Sequence, residues 1–210
     1  ETVRFAYPNT AEPVLKDASL TVDAAQKVAL VGESGCGKST LAKLLFQYYP
    51  DYSGDILFNG RQVRTLDRTA LYRRVGYIAQ TAYLFHDTIR NNICLHEDFP
   101  DEQLAHAISA AGLTDWVASL PDGLDTVISE NGKNLSGGQR QRIGIARALY
   151  RRADVLFFDE ATSALDSRTE EEINRSVAEL AARDKGLTLV VIAHRESSLE
   201  YCTRIITIGE

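Results

Sequence analysis

Alternation of short apolar runs with helical stretches predicts an α/β chain: a parallel sheet covered by helices, with an antiparallel β edge and an inserted α-helical subdomain. Three observations carry this. Val155–Phe158 and Leu189–Ala193 are near-continuous apolar runs, as strands buried on both faces require. Val3–Tyr7 and Asp55–Phe58 alternate in polarity, as half-exposed antiparallel strands do. Between Asp101 and Tyr150 the apolar residues instead recur at helical spacing, interrupted by one short strand at Thr126–Ile128.

In chain order, strands are expected at Val3–Tyr7, Lys27–Val31, Asp55–Phe58, Val75–Ala79, Val155–Phe158, Leu187–Ala193 and Arg204–Ile208. A helix is expected over Thr40–Leu45. Leu104, Ile108 and Ala111 mark another, Trp116 and Leu120 a third, and Ile143, Ala146 and Leu149 or Tyr150 a fourth. Asp166 begins a further helix, with Ser167 and Glu170 at capping-box spacing. Residues 1–210 then form a single domain, with a core of about 1–84 and 151–210 and a helical subdomain of about 85–150.

The 210 residues carry 23 basic and 29 acidic side chains, a formal charge of -6, and 44% hydrophobic residues, which describes a globular chain able to bury a core. No apolar run approaches the roughly 20 residues of a membrane helix. A pI near 5.3 argues against nucleic acid as the main partner. Cys36, Cys94 and Cys202 are odd in number and widely spaced, which fits a reducing compartment and no zinc-site pattern. Methionine is absent, Glu1 falls inside a predicted strand and Glu210 just after another, so a fragment of a longer chain is expected.

Gly32-Glu33-Ser34-Gly35-Cys36-Gly37-Lys38-Ser39 satisfies G-x-x-x-x-G-K-[ST], with a strand before it and a helix, beginning at Thr40, after it. Small residues let backbone N–H groups converge on phosphate oxygens at a helix N-terminus. Lys38 is expected to neutralise the β- and γ-phosphates, and Ser39 to ligate Mg²⁺. This is a nucleoside triphosphate site on a P-loop NTPase (RecA-like) core. Cys36 reads as a small residue filling the turn rather than a reactive thiol.

Val155-Leu156-Phe157-Phe158-Asp159-Glu160 is an apolar strand ending in two carboxylates. Asp159 is placed to reach Mg²⁺, and Glu160 to polarise an attacking water as general base. In Leu135-Ser136-Gly137-Gly138-Gln139, Ser136 and Gln139 have capping-box spacing. Consecutive glycines in a first helical turn are costly and make sense where a ligand approaches the backbone.

Phosphate loop, LSGGQ and the Asp-Glu strand, in that order, resemble the nucleotide-binding domain of ATP-binding cassette (ABC) proteins, over essentially the whole chain. The resemblance implies that Tyr7 stacks on adenine, and that Gln80 touches Mg²⁺ and the attacking water and links the site to a membrane partner. It further implies that Ser163–Asp166 crosses a dimer interface, with Asp166 near nucleotide, and that His194 contacts the γ-phosphate. His86, His96 and His106 read as structural. Two cassettes are implied to pack head to tail as a homo- or heterodimer around two ATP, with Ser136, Gly137, Gly138 and Gln139 of one closing on the site of the other.

Thr126-Val127-Ile128-Ser129-Glu130-Asn131-Gly132 resembles the T-x-V-x-E-x-G segment of exporter-type cassettes, and Leu84–Ile93 the exporter stretch after the glutamine. Such cassettes are fused behind a transmembrane domain, at the cytoplasmic face of a membrane, and the Tyr83–Phe85 and Thr126–Gly132 regions would meet its loops. An ATPase powering export is therefore expected. The alternative is a separate importer subunit or a soluble non-transport ABC ATPase. The exporter-like segment, the acidic charge and the lack of a coiled-coil insertion disfavour it.

Overall fold

The computed structural model describes residues 2–10, 12–79, 82–98, 100–159, 167–192 and 202–209. Its elements are β1 (Val3–Phe5), β2 (Leu15–Ala18), β3 (Lys27–Val31), α1 (Lys38–Leu45), β4 (Leu57–Phe58), β5 (Arg61–Gln62), α2 (Arg68–Arg74), β6 (Val75–Ile78) and β7 (Asp87–Thr88). There follow α3 (Ile89–Cys94), α4 (Asp101–Ala110), α5 (Thr114–Ala118), β8 (Val127–Ile128), α6 (Gly137–Tyr150), β9 (Val155–Asp159), α7 (Ser167–Arg183), β10 (Thr188–Ile192) and β11 (Arg204–Thr207).

The central sheet has five strands in the order β11-β3-β10-β9-β6, and every pairing in it is parallel. All five residues of β10 are buried, as its unbroken Thr-Leu-Val-Val-Ile run demands of a strand flanked and covered on both faces. The opposite extreme is β11, largely exposed at one edge of the sheet. Because the strands are parallel, their C-terminal ends share one rim. The loop after β3 and the carboxylate ending β9 therefore meet there.

The antiparallel strands are present, but among the described residues they form separate two-stranded sheets: β1 with β2, β4 with β5, and β7 with β8. The strand expected over Val3–Tyr7 ends at Phe5, because Pro8–Asn9 turn the chain and Thr10 N–H bonds back to the Tyr7 carbonyl at 3.1 Å. That expected over Asp55–Phe58 shortens to β4 and folds onto β5 through Asn59-Gly60, both with positive φ, the signature of a two-residue hairpin. A single bridge between Arg4 and Ser53 joins the two antiparallel regions.

Helices α3, α4 and α6 share one apolar cluster with the sheet: Ile93, Leu104, Ile108, Ile143 and Ala146 pack with Leu156, Phe158, Leu189 and Val191. Helix α7 joins it through Ile173, Val177 and Leu180, spaced to fall on one face. At the edge of this cluster Asn92 is fully buried and holds the preceding loop. Its Oδ1 accepts from Phe85 N–H at 2.9 Å, and its Nδ2 donates to the carbonyls of Phe85 and Thr88, each at 3.0 Å. Replacing it leaves several backbone groups unpaired. Asn92→Ala is expected to cost about 2–4 kcal/mol, read as a lower urea midpoint at unchanged m-value.

Candidate active site

The phosphate loop leaves β3 at Val31 and ends where α1 begins. Gly37 caps the helix with φ 103°, and a Cβ there would lie 2.4 Å from Leu15 Cδ2 and 3.2 Å from the Val14 carbonyl oxygen. Glycine is thus demanded twice, by backbone angle and by space. Lys38 is buried, and its Nζ donates to the carbonyls of Gly32 at 2.9 Å and Glu33 at 2.8 Å. It braces the loop from within. Cys36 Sγ lies 3.7 Å from the same ammonium. Ser34 and Gly35 are exposed at the loop's turn.

Ser39, in the first turn of α1, donates from Oγ to Asp159 Oδ1 at 2.7 Å. The two motifs, 120 residues apart in sequence, meet at this hydrogen bond. Asp159 is 8% exposed, and its second oxygen accepts from the Tyr77 hydroxyl at 2.5 Å. Sequence reasoning passed over Tyr77. The available signal was an aromatic with a polar tip inside an otherwise apolar strand, three residues before Gln80.

Thr40 is buried, and its Oγ1 pairs with the Tyr7 hydroxyl at 2.8 Å. Tyr7 is half-buried just beyond β1. It packs edge-on against Phe5 and Tyr49, with Lys43 Nζ 5.9 Å from its ring centre. The ring stands at the rim of a small core as well as beside α1.

Ser136 caps α6 reciprocally: Gln139 N–H donates to Ser136 Oγ at 3.1 Å, and Ser136 N–H to Gln139 Oε1 at 2.9 Å. Arg140 reaches back to the carbonyls of Gly132 at 3.2 Å and Leu135 at 2.8 Å, pinning the segment before the helix. Gly138 is buried and Gly137 half-exposed. Among the described residues no hydrogen bond or ion pair joins Ser136–Gln139 to the phosphate loop. Gln80, Glu160, Asp166 and His194, with Ser163–Leu165, lie outside the described residues.

A second feature flanks α6. Tyr83, Phe85 and Val127 are 56%, 50% and 55% exposed, an unusual display of large apolar side chains. They are brought close by β7–β8 pairing and by Asn131 N–H on the Leu84 carbonyl at 3.0 Å. Arg147 of α6 donates to the carbonyls of Tyr83 at 2.9 Å and Asn92 at 2.8 Å. Burial, with Arg151 nearby, lowers its pKa to about 10.

The family model for ABC transporters matches residues 15–163, from β2 through β9 into the residues beyond Asp159. The chain belongs to the ABC transporter family. It is 44% identical to the ATP-dependent lipid A-core flippase of Vibrio cholerae over 210 residues, covering 99% of this chain and 36% of that protein. The Escherichia coli K12 flippase of the same name is 43% identical, with the same coverage. Among solved structures, a bacterial Atm1-family ABC exporter with ATP bound superposes with a TM-score of 0.89 at 38% identity, covering all of this chain and 36% of that one. This ABC chain thus spans about a third of the length of the relatives it matches.

The oxygen groups fit a divalent cation arriving with a nucleotide. Among the described residues no cluster of three or more His, Cys, Asp and Glu side chains could hold a metal. A hydroxyl and one carboxylate, completed by phosphate and water oxygens, form the donor set that Mg²⁺ takes. Since the loop cannot accept a Cβ at its last glycine without shifting, Gly37→Ala is expected to store about 1–3 kcal/mol of strain. ATP affinity should fall about tenfold or more, measured by isothermal titration, alongside a lower melting temperature.

Proposed function

We propose that this chain is the ATP-binding and ATP-hydrolysing domain of an ABC exporter, acting as a single unit over residues 1–210. A second ABC domain, identical or related, would pack against it head to tail around two ATP. One observation carries this proposal: Ser39 and Asp159 are joined at 2.7 Å beneath the phosphate loop, while among the described residues the capped start of α6 makes no bond to that loop. Each copy would hold two half-sites, which a partner completes. ATP then serves as a ligand of the dimer, tightening it by binding the closed state better than the open one.

Within a completed site, the loop N–H groups and Lys38 bind the β- and γ-phosphates, and Tyr7 takes the base. Ser39, Asp159 and Gln80 would hold Mg²⁺, which neutralises charge developing on the transferred phosphoryl group. Glu160 accepts a proton from the attacking water, and His194 contacts the γ-phosphate. Ser136, Gly137, Gly138 and Gln139 of the partner close over that phosphate, with the Asp166 segment along the interface. Loss of the γ-phosphate removes the contacts that hold the copies together.

Export is supported by the names of the relatives and by the exposed Tyr83, Phe85 and Val127, which offer an apolar face to a transmembrane domain, on the same polypeptide in the proposed full-length protein. That arrangement would hold the chain at the cytoplasmic side of a membrane. Among the described residues no helix is long and apolar enough to cross one.

Glu160→Gln tests the proposal. ATP binding should persist, turnover should fall about 10²- to 10⁴-fold, and light scattering should show a dimer with ATP and a monomer without it. Undiminished turnover would remove Glu160 as the base. A monomer under every nucleotide condition would remove the head-to-tail arrangement.

A further inference from the structure

Building on the nucleotide–metal site proposed above, we infer that Tyr77 is a positioning residue for that site: its phenolic O–H holds Asp159 Oδ2, so that Oδ1 stays turned toward Ser39 and the cation. Strands β6 and β9 are parallel neighbours, with Tyr77 opposite Phe157. Side chains alternate faces along a strand, so Phe157 and Asp159 share one face with Tyr77. Asp159 lies two residues farther along, about 6.6 Å at 3.3 Å per residue. A tyrosine side chain spans that gap, and its hydroxyl arrives at 2.5 Å. Phenylalanine would span it without a donor.

The ring is itself braced. Phe46, the residue that ends α1, packs edge-to-face on Tyr77 with centroids 5.3 Å apart at 62°. Helix α1 therefore supplies Ser39 to one carboxylate oxygen from its first turn and steadies the donor to the other from its last. Asp159 is buried with one hydroxyl on each oxygen, at 2.7 Å and 2.5 Å, which fixes the rotation of the carboxylate plane. Without Tyr77 O–H, Oδ2 loses its partner and the plane can turn away from Ser39. Supporting groups of this kind set ligand orientation and metal affinity without touching the metal.

The test is Mn²⁺ binding to the chain in the presence of a non-hydrolysable ATP analogue, followed by the electron paramagnetic resonance signal of free Mn²⁺. Tyr77→Phe should bind Mn²⁺ about tenfold more weakly, with analogue affinity in EDTA within about twofold of the unsubstituted chain. Phe46→Leu, which keeps the phenol but loosens it, should weaken Mn²⁺ by about threefold and decides the matter if Tyr77→Phe does not fold. Unchanged Mn²⁺ affinity in Tyr77→Phe overturns the inference, as does an equal loss of analogue affinity in EDTA, which would place the phenol's effect on the loop. Failure of the unsubstituted chain to bind Mn²⁺ with the analogue would instead overturn the nucleotide–metal site itself.

Discussion

The hydrogen bond from Ser39 to Asp159 is the constraint on which the rest of the site depends. Strands β3 and β9 are not neighbours: β10 lies between them, so their ends stand about 10 Å apart. For a hydroxyl in the first turn of α1 to reach a carboxylate on β9, the helix must begin over the rim of β10. That requirement explains the tight turn at Gly37 and the folding of Lys38 back onto the Gly32 and Glu33 carbonyls, which holds the loop compact before the helix starts. It also explains how a carboxylate can be buried at all, since both of its oxygens are met by hydroxyl donors.

A second polar junction sits on α6, at the far side of the apolar cluster. Ser136 caps the helix, and Arg147, about 16 Å farther along its axis at 1.5 Å per residue, is bonded to the Tyr83 and Asn92 carbonyls. Burying a guanidinium is costly unless its donors are used, and the depressed pKa of Arg147 records that cost. Asn92 in turn grips the loop of Phe85. Between these polar clamps the helix is packed by the buried Ile143, Ile145 and Ala146.

Most of the parallel core was legible because its strands are short, apolar and β-branched, and because the phosphate loop marks a strand before it and a helix after it. Lys27–Val31 was placed to the residue, and Val155–Phe158 to within one. What was missed is local and polar. Leu15–Ala18 buries one residue fully, so no alternation announces it. Arg61–Gln62 has no apolar residue at all, yet Asn59-Gly60 before it is a strong hairpin signal. At the site, the motifs singled out Ser39 and Asp159 in advance, and these two share a hydrogen bond. Tyr77 and the pairing of Thr40 with Tyr7 depend on strand register and helix docking, which no spacing along a single chain encodes.

The start of α6 poses an energetic question that its own geometry helps answer. Each glycine in a helix costs about 1 kcal/mol relative to alanine, and a good cap returns only about 1 kcal/mol. Gly137 and Gly138 together therefore outweigh the capping box formed by Ser136 and Gln139. Gly138 is buried and Gly137 half-exposed in the first turn of the helix. Local stability alone would favour alanine at Gly137. What a glycine provides at that position is a bare helix N-terminus whose N–H groups a phosphate can approach closely, and among the described residues no hydrogen bond joins it to the phosphate loop. In the head-to-tail arrangement proposed above, a nucleotide held by a second domain would occupy that surface, while the packing of Ile143, Ile145 and Ala146 holds the helix within the chain.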